Sequence, residues 1–159
     1  MKYDIYFHDD FDGVASAAVM LDFLRRRGDG IKHYVPVSYD LTEQWLDDDF
    51  FKKHKLFRGR RNQPIAVDFS YHPKAAFWFD HHPTTFKKEL WRRKFRPSRF
   101  HCWDPRFLSG CSLVAAALKK NFGYKIPRYF DELIYWSDII DSARFKSVKQ
   151  VIELKEPAL

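Results

Sequence analysis

The sequence predicts a three-layer α/β/α fold around a mostly parallel sheet of about five strands. Two observations carry that expectation. Short apolar runs alternate with longer segments of helical periodicity along the 159 residues, the pattern of strand–helix–strand units. Three of the apolar runs also stop at acidic residues or histidines, and in an open parallel sheet ligands gather outside the carboxyl ends of the strands.

The first strand covers 2–7, with Tyr3, Ile5 and Phe7 in alternation, and runs straight into His8-Asp9-Asp10-Phe11-Asp12-Gly13. Gly13 opens a dense apolar helix over 14–27, closed by Gly28. A strand over 32–37 follows, and Thr42 is placed to cap a helix over 43–55 with Leu46, Phe50 and Phe51 turned inward. Residues 64–67 form a short strand that stops at Asp68. Residues 75–79 form a buried strand ending in Asp80-His81-His82. An amphipathic helix over 84–94 and a fifth strand over 99–103 come next. Ser109 or Ser112 caps a helix over 113–122 that Gly123 stops. Pro127 starts a last helix carrying Phe130, Leu133, Ile134 and Ile139. On it Asp138 and Asp141, three apart, share a face.

Length and composition bound the function classes. A chain of 159 residues is expected to be one domain, 1–159, able to bury a core without staples. Its 18% aromatic content points to a packed domain rather than disorder. Cys102 and Cys111 form neither a disulfide framework nor a zinc-type spacing. No apolar run is long enough for a membrane span, and no signal-type apolar stretch precedes the first strand. A reduced, cytoplasmic location and no membrane partner are the expectations.

Three consecutive ionisable side chains at the end of a buried strand are costly unless something satisfies them. Taken alone, Asp80-His81-His82 fits a polar turn as well as a metal site. The same arrangement after two other strands shifts the reading. Three strands would deliver His8, Asp10, Asp12, Asp68, Asp80, His81 and His82 to one rim, and carboxylates with imidazoles are the usual ligands of divalent cations.

The net charge of +7 is concentrated in two runs. One holds Lys52, Lys53, Lys55, Arg58, Arg60 and Arg61; the other holds Lys87, Lys88, Arg92, Arg93, Lys94, Arg96, Arg99 and Arg106. Either is a solvated face or a surface that attracts phosphate-rich substrates, with Phe86, Trp91, Phe95, Phe100 and Trp103 serving as stacking surfaces or as core.

Four segments taken together resemble the DHH phosphoesterase superfamily. His8-x-Asp10-x-Asp12-Gly13 after a strand is similar to its first motif, Asp68 to the lone aspartate of its second, and Asp80-His81-His82 to the motif that names it. The Ser137-Asp138 region resembles its fourth, with Asp141-Ser142-Ala143-Arg144-Phe145 as an alternative spelling. The matches come in the family's order and cover nearly the whole chain.

The resemblance implies two divalent cations, manganese or magnesium. It implies His8, Asp10 and Asp68 on one, and Asp12, Asp68, His81 and Asp138 on the other, with Asp68 bridging. Asp141 is the alternative to Asp138 or an outer partner, and Asp80 orients a histidine rather than holding metal. His82 faces the substrate phosphate; Arg92 and Arg93 are expected substrate contacts on the separate ground of the second basic run. Asp10, Asp12, Asp68 and His82 thus carry the chemistry of a metal-dependent phosphoesterase. Its substrate would be a nucleotide, a short oligonucleotide or single-stranded nucleic acid, and a homo-oligomer stays open.

The family usually carries a C-terminal domain that closes over the site, and the chain is expected to lack it, since the tail 150–159 follows soon after the fourth motif. A stand-alone catalytic domain, a fragment and a degenerate module are the three readings of that tail. Two other functions compete. One is a metal-bound nucleotide- or RNA-binding module without turnover. The other is a haloacid-dehalogenase-like phosphatase, suggested by Asp10-Phe11-Asp12-Gly13, which gives no task to Asp80-His81-His82.

Overall fold

Five strands pair in the order β2-β1-β3-β4-β5, every pair parallel. They are β1 (Lys2–His8), β2 (Gly30–Val37), β3 (Gln63–Val67), β4 (Phe77–Asp80) and β5 (His101–Trp103). The helices are α1 (Phe11–Arg26), α2 (Thr42–Trp45), α3 (Phe50–Lys53), α4 (Glu89–Lys94), α5 (Gly110–Phe122), α6 (Asp131–Asp141) and α7 (Val148–Glu153). These come from a computed structural model, which describes residues 1–53 and 62–153.

Alternation along each strand feeds two separate cores. Tyr3, Ile5, Ile65, Val67, Phe77 and Phe79 face one layer, with buried residues of α1 and α5 and Phe130 before α6. Tyr6, Val35, Val37, Ala66 and Trp78 face the other, against Trp45, Phe50, Trp91 and the connection from β3 to β4. Both faces of the sheet are therefore covered, as a parallel sheet requires. On α5, Leu113, Val114 and Leu118 are buried; each such side chain contributes roughly 1.5–3 kcal/mol. This is the expected three-layer α/β fold.

Register sets the functional edge. Phe7 stands opposite Val67, and Val67 opposite Phe79. The next residues, His8, Asp68 and Asp80, therefore end three adjacent strands at one level. After β2 the chain crosses to the other side of β1, so the β1 and β3 ends flank the switch point where open α/β sheets bind ligands.

Several helices differ from expectation. α1 starts at Phe11, because Asp10 caps it by accepting from the Gly13 N–H at 2.8 Å. The helix expected over 43–55 is two short ones. The Asp49 N–H turns to Asp47 Oδ1 at 2.8 Å and breaks the helical ladder. The Thr42 hydroxyl donates to the Tyr39 carbonyl instead of capping, and residues 54 and 55 lie outside the described residues. The helix expected over 84–94 is reduced to α4. The backbone before it turns at Thr85, whose N–H donates to His82 O while its carbonyl and hydroxyl accept from Tyr71 N. A 3-10 turn, Arg128–Phe130, precedes α6, and the short helix α7 adds to the expected elements. Lys55, Arg58, Arg60 and Arg61 of the first basic run, and residues 154–159 of the tail, also lie outside the described residues. Cys102 and Cys111 are free thiols. No described helix is long and apolar enough to cross a membrane.

Candidate metal centre

The centre begins where α1 meets β1. A β-carbon at position 13 would collide with the His8 carbonyl, so Gly13 lets the first turn of α1 sit directly on the strand end. Asp10 uses one carboxylate oxygen on the Gly13 N–H and the other on His8 Nδ1, 2.5 Å away. Asp12 turns inward and is buried. Its oxygens accept from the Gly110 and Cys111 N–H groups at 2.6 and 2.9 Å, the first turn of α5. Burial pushes the Asp12 carboxyl up to about 6, against the pull of those two donors and of His81.

Asp68 is the centre's least satisfied residue. Its backbone sits in the left-handed region at φ 54°, a conformation that costs energy for a non-glycine residue and concentrates at functional sites. The residue is 1% exposed, yet neither carboxylate oxygen has a hydrogen-bond partner. Burial, followed by Asp12, Asp80, Asp10 and Asp141, holds its carboxyl well above the ordinary carboxylate range.

The three residues after Phe79 divide their tasks. Asp80 is fully buried, and its Oδ1 lies 2.8 Å from His82 Nδ1. That contact is the leading reason the His82 imidazole is pushed above its usual value. The Trp103 indole donates to the His82 carbonyl at 3.0 Å. His81 Nδ1 lies 3.2 Å from the Phe107 carbonyl. A carbonyl only accepts, so Nδ1 carries the proton there and Nε2 offers a lone pair. That Nε2 is 3.2 Å from Asp141 Oδ2, 3.6 Å from Asp68 Oδ1 and 3.7 Å from Asp12 Oδ2. A lone pair facing three carboxylates is repulsive until a proton or a metal cation stands between them.

The two aspartates of α6 separate. Asp138 Oδ1 accepts from the hydroxyls of Ser109 (2.6 Å) and Ser112, at the start of α5. Asp141, one turn on, meets His81. Of the expected ligand Asp138 and its alternative Asp141, it is Asp141 that lies next to the histidine, while Asp138 ties α6 to α5. Arg92 and Arg93 lie on exposed α4, where Arg93 pairs with Glu89 at 3.1 Å. Among the described residues no hydrogen bond or ion pair joins either arginine to the acidic cluster.

Three sets of side chains each bring their ligand atoms within 4.8 Å of one another: His8, Asp10 and Asp68; Asp12, His81 and Asp141; Asp68, His81 and His82. Asp68 belongs to two of them. The carboxylates suit manganese or magnesium, and the imidazoles among them favour manganese or another first-row transition-metal dication. The unpartnered oxygens of Asp68 and the unpartnered Nε2 of His81 are the atoms such an ion would satisfy. Local sequence reading missed the Gly110 and Cys111 amides, the Phe107 carbonyl and Trp103, all of which hold the centre from a distance. Of these only Ser109-Gly110 left a signal, and that signal read as a helix cap.

No model of a known protein family matches the chain, and no curated protein matches it.

Proposed function

We propose that this protein is a metal-dependent phosphoesterase of the DHH type, acting on phosphodiester or phosphoanhydride bonds of nucleotides or oligonucleotides. The observation that carries the reading is Asp68, a buried carboxylate without a hydrogen bond between two sets of potential ligands. A pair of divalent cations, when bound, would polarise the phosphoryl oxygens and lower the pKa of water. His8, Asp10 and Asp68 would hold one ion; Asp12, Asp68, His81 and Asp141 the other.

The chain's own groups do the remaining work. The two α5 amides on Asp12 keep its oxygens in one orientation. The Phe107 carbonyl fixes the His81 tautomer, so that a neutral nitrogen is presented to the acids. Asp80 favours the charged form of His82, which suits that ring to donating a hydrogen bond to a phosphoryl oxygen.

The test is hydrolysis of bis(4-nitrophenyl) phosphate and of a dinucleotide by the purified chain in manganese, in magnesium and in chelator. Metal-dependent turnover abolished by Asp68→Asn supports the reading. Manganese binding by calorimetry without turnover of either substrate would replace it with a binding module.

A further inference from the structure

Tyr39 and Lys87 stand beside the acidic cluster, and neither has a task in the centre described above. Tyr39 opens the 3-10 turn Tyr39–Leu41 that follows β2, at the same carboxyl edge as His8. Its ring centroid lies 4.7 Å from that of His8 and 6.0 Å from that of Phe69, at 29° to the Phe69 plane. Phe69, the residue after Asp68, is 2% exposed and forms a fixed floor. The Thr42 hydroxyl closes the turn by donating to the Tyr39 carbonyl at 2.6 Å. Tyr39 nevertheless remains 53% exposed. After burial, the largest influences on its phenol are Asp68, Asp80, Asp10 and Asp141, so the ring lies within the field of the cluster.

Lys87 reaches over this ring, its ammonium 5.9 Å from the centroid. That is the outer limit of a cation–π contact. Its neighbour Lys88 pairs with Asp48; Lys87 has no carboxylate partner among the described residues. The charge pattern around the centre gives this lysine its meaning. Among the described residues Asp10, Asp12, Asp68, Asp80 and Asp141 form ion pairs only with histidines. An anionic ligand approaching five carboxylates gains from a cation at the rim, and Lys87 is one without an acid partner among the described residues.

A lone exposed tyrosine needs no explanation. This one rests on a buried ring, next to a potential metal ligand, under an unpaired ammonium. We propose that Tyr39 and Lys87 form a nucleotide subsite at the mouth of the centre, the base stacking on the Tyr39 ring and Lys87 taking a phosphate oxygen. Aromatic faces accept any base, so the subsite selects nucleoside phosphates over simple phosphate esters without selecting among bases. The inference deepens the phosphoesterase reading, on which it rests for the fate of the ligand but not for its binding.

The experiment is isothermal titration of adenosine 5′-monophosphate and of ribose 5-phosphate into the manganese-loaded protein. The parent is expected to favour the nucleotide by roughly tenfold, the scale of one base–aromatic stack. Tyr39→Ala should erase that preference and leave ribose 5-phosphate affinity unchanged, while Tyr39→Phe keeps it. Lys87→Gln should weaken both ligands by the same factor and reduce the salt dependence of both. A parent without preference for the nucleotide, a preference that survives Tyr39→Ala, or equal weakening of both ligands by Tyr39→Ala overturns the stacking role. Unchanged affinities in Lys87→Gln overturn the phosphate role. Nucleotide preference without turnover of any diester sinks the phosphoesterase reading and leaves the subsite standing. Turnover without nucleotide preference does the reverse.

Discussion

Gly110 lies so near Asp68 that a β-carbon at position 110 would stand 2.7 Å from Asp68 Oδ1 and 2.9 Å from its Cβ. The first turn of α5 is thus pressed against a carboxylate it does not bond, while its free amides go to Asp12. This arrangement keeps Asp68 dry and leaves its oxygens for another partner.

Gly110→Ala tests that packing. The nearest atoms include the Asp68 Cβ, which cannot swing aside as the end of a long side chain would. Either α5 or Asp68 must shift, at a cost of about 1–3 kcal/mol. The expected result is a lower melting temperature together with a smaller rise on adding manganese. Parent-like values for both would show that the contact is relaxed at no cost.

Asp68→Asn should separate stability from function. The carboxyl of Asp68 is held well above its ordinary range by burial and four neighbouring acids, so removing its charge relieves the metal-free protein. The metal-free variant is expected to melt at or above the parent. Metal that binds only the folded state stabilises by mass action, and that gain should vanish along with turnover. Retention of manganese-dependent turnover would show that Asp68 is not the shared ligand.

The two α6 aspartates should give crossed phenotypes. Asp138→Ala leaves the Ser109 and Ser112 hydroxyls without their acceptor, a loss of roughly 1–3 kcal/mol, with the manganese response intact. Asp141→Asn should barely change metal-free melting but diminish the response to manganese. The reverse pattern in differential scanning fluorimetry would return the ligand role to Asp138.

His72 offers a pH test away from the centre. Its ring is fully buried, with Nδ1 accepting from the Lys74 N–H at 3.1 Å and Nε2 facing the Asp47 carbonyl at 3.3 Å. Burial, the leading cause, lowers its pKa from 6.5 to about 4. The unfolded chain therefore takes up this proton below pH 6.5 and the folded chain only near pH 4. The stability at stake is complete above pH 6.5 and is lost as pH falls toward 4, by about 3 kcal/mol. Asp12 and Asp68, whose carboxyls are raised, oppose that trend in the metal-free protein. The readout is therefore the difference between parent and His72→Gln in urea midpoints from pH 7 to 4. The variant should lose less stability on acidification; parallel slopes would refute a neutral, buried His72.

Much of this molecule was legible in short windows of sequence. The alternation of Tyr3, Ile5 and Phe7, and the apolar runs before Asp68 and Asp80, depend only on the two-residue period of a strand. Gly28 and Gly123 end α1 and α5 with positive φ, at 74° and 66°, as local stop signals suggest. The helices over 43–55 and 84–94 misled because their periodicity is real. Over 43–55 the Asp47 side chain competes with the helical ladder for the Asp49 N–H, and over 84–94 the Thr85 carbonyl and hydroxyl are turned to the Tyr71 N–H in the β3–β4 connection.

By itself the sequence determined which residue types end each strand and which chemistry those types can support. That follows because backbone period and terminating side chains are properties of a few neighbouring residues. The tertiary structure decided which of them meet. Asp138 and Asp141 share a helical face, and only the docking of α6 on α5 sends one to two serines and the other to His81. The bonds that hold Asp12 come from amides 98 and 99 positions away, and a close approach of two helices is set by the packing of the whole layer between them.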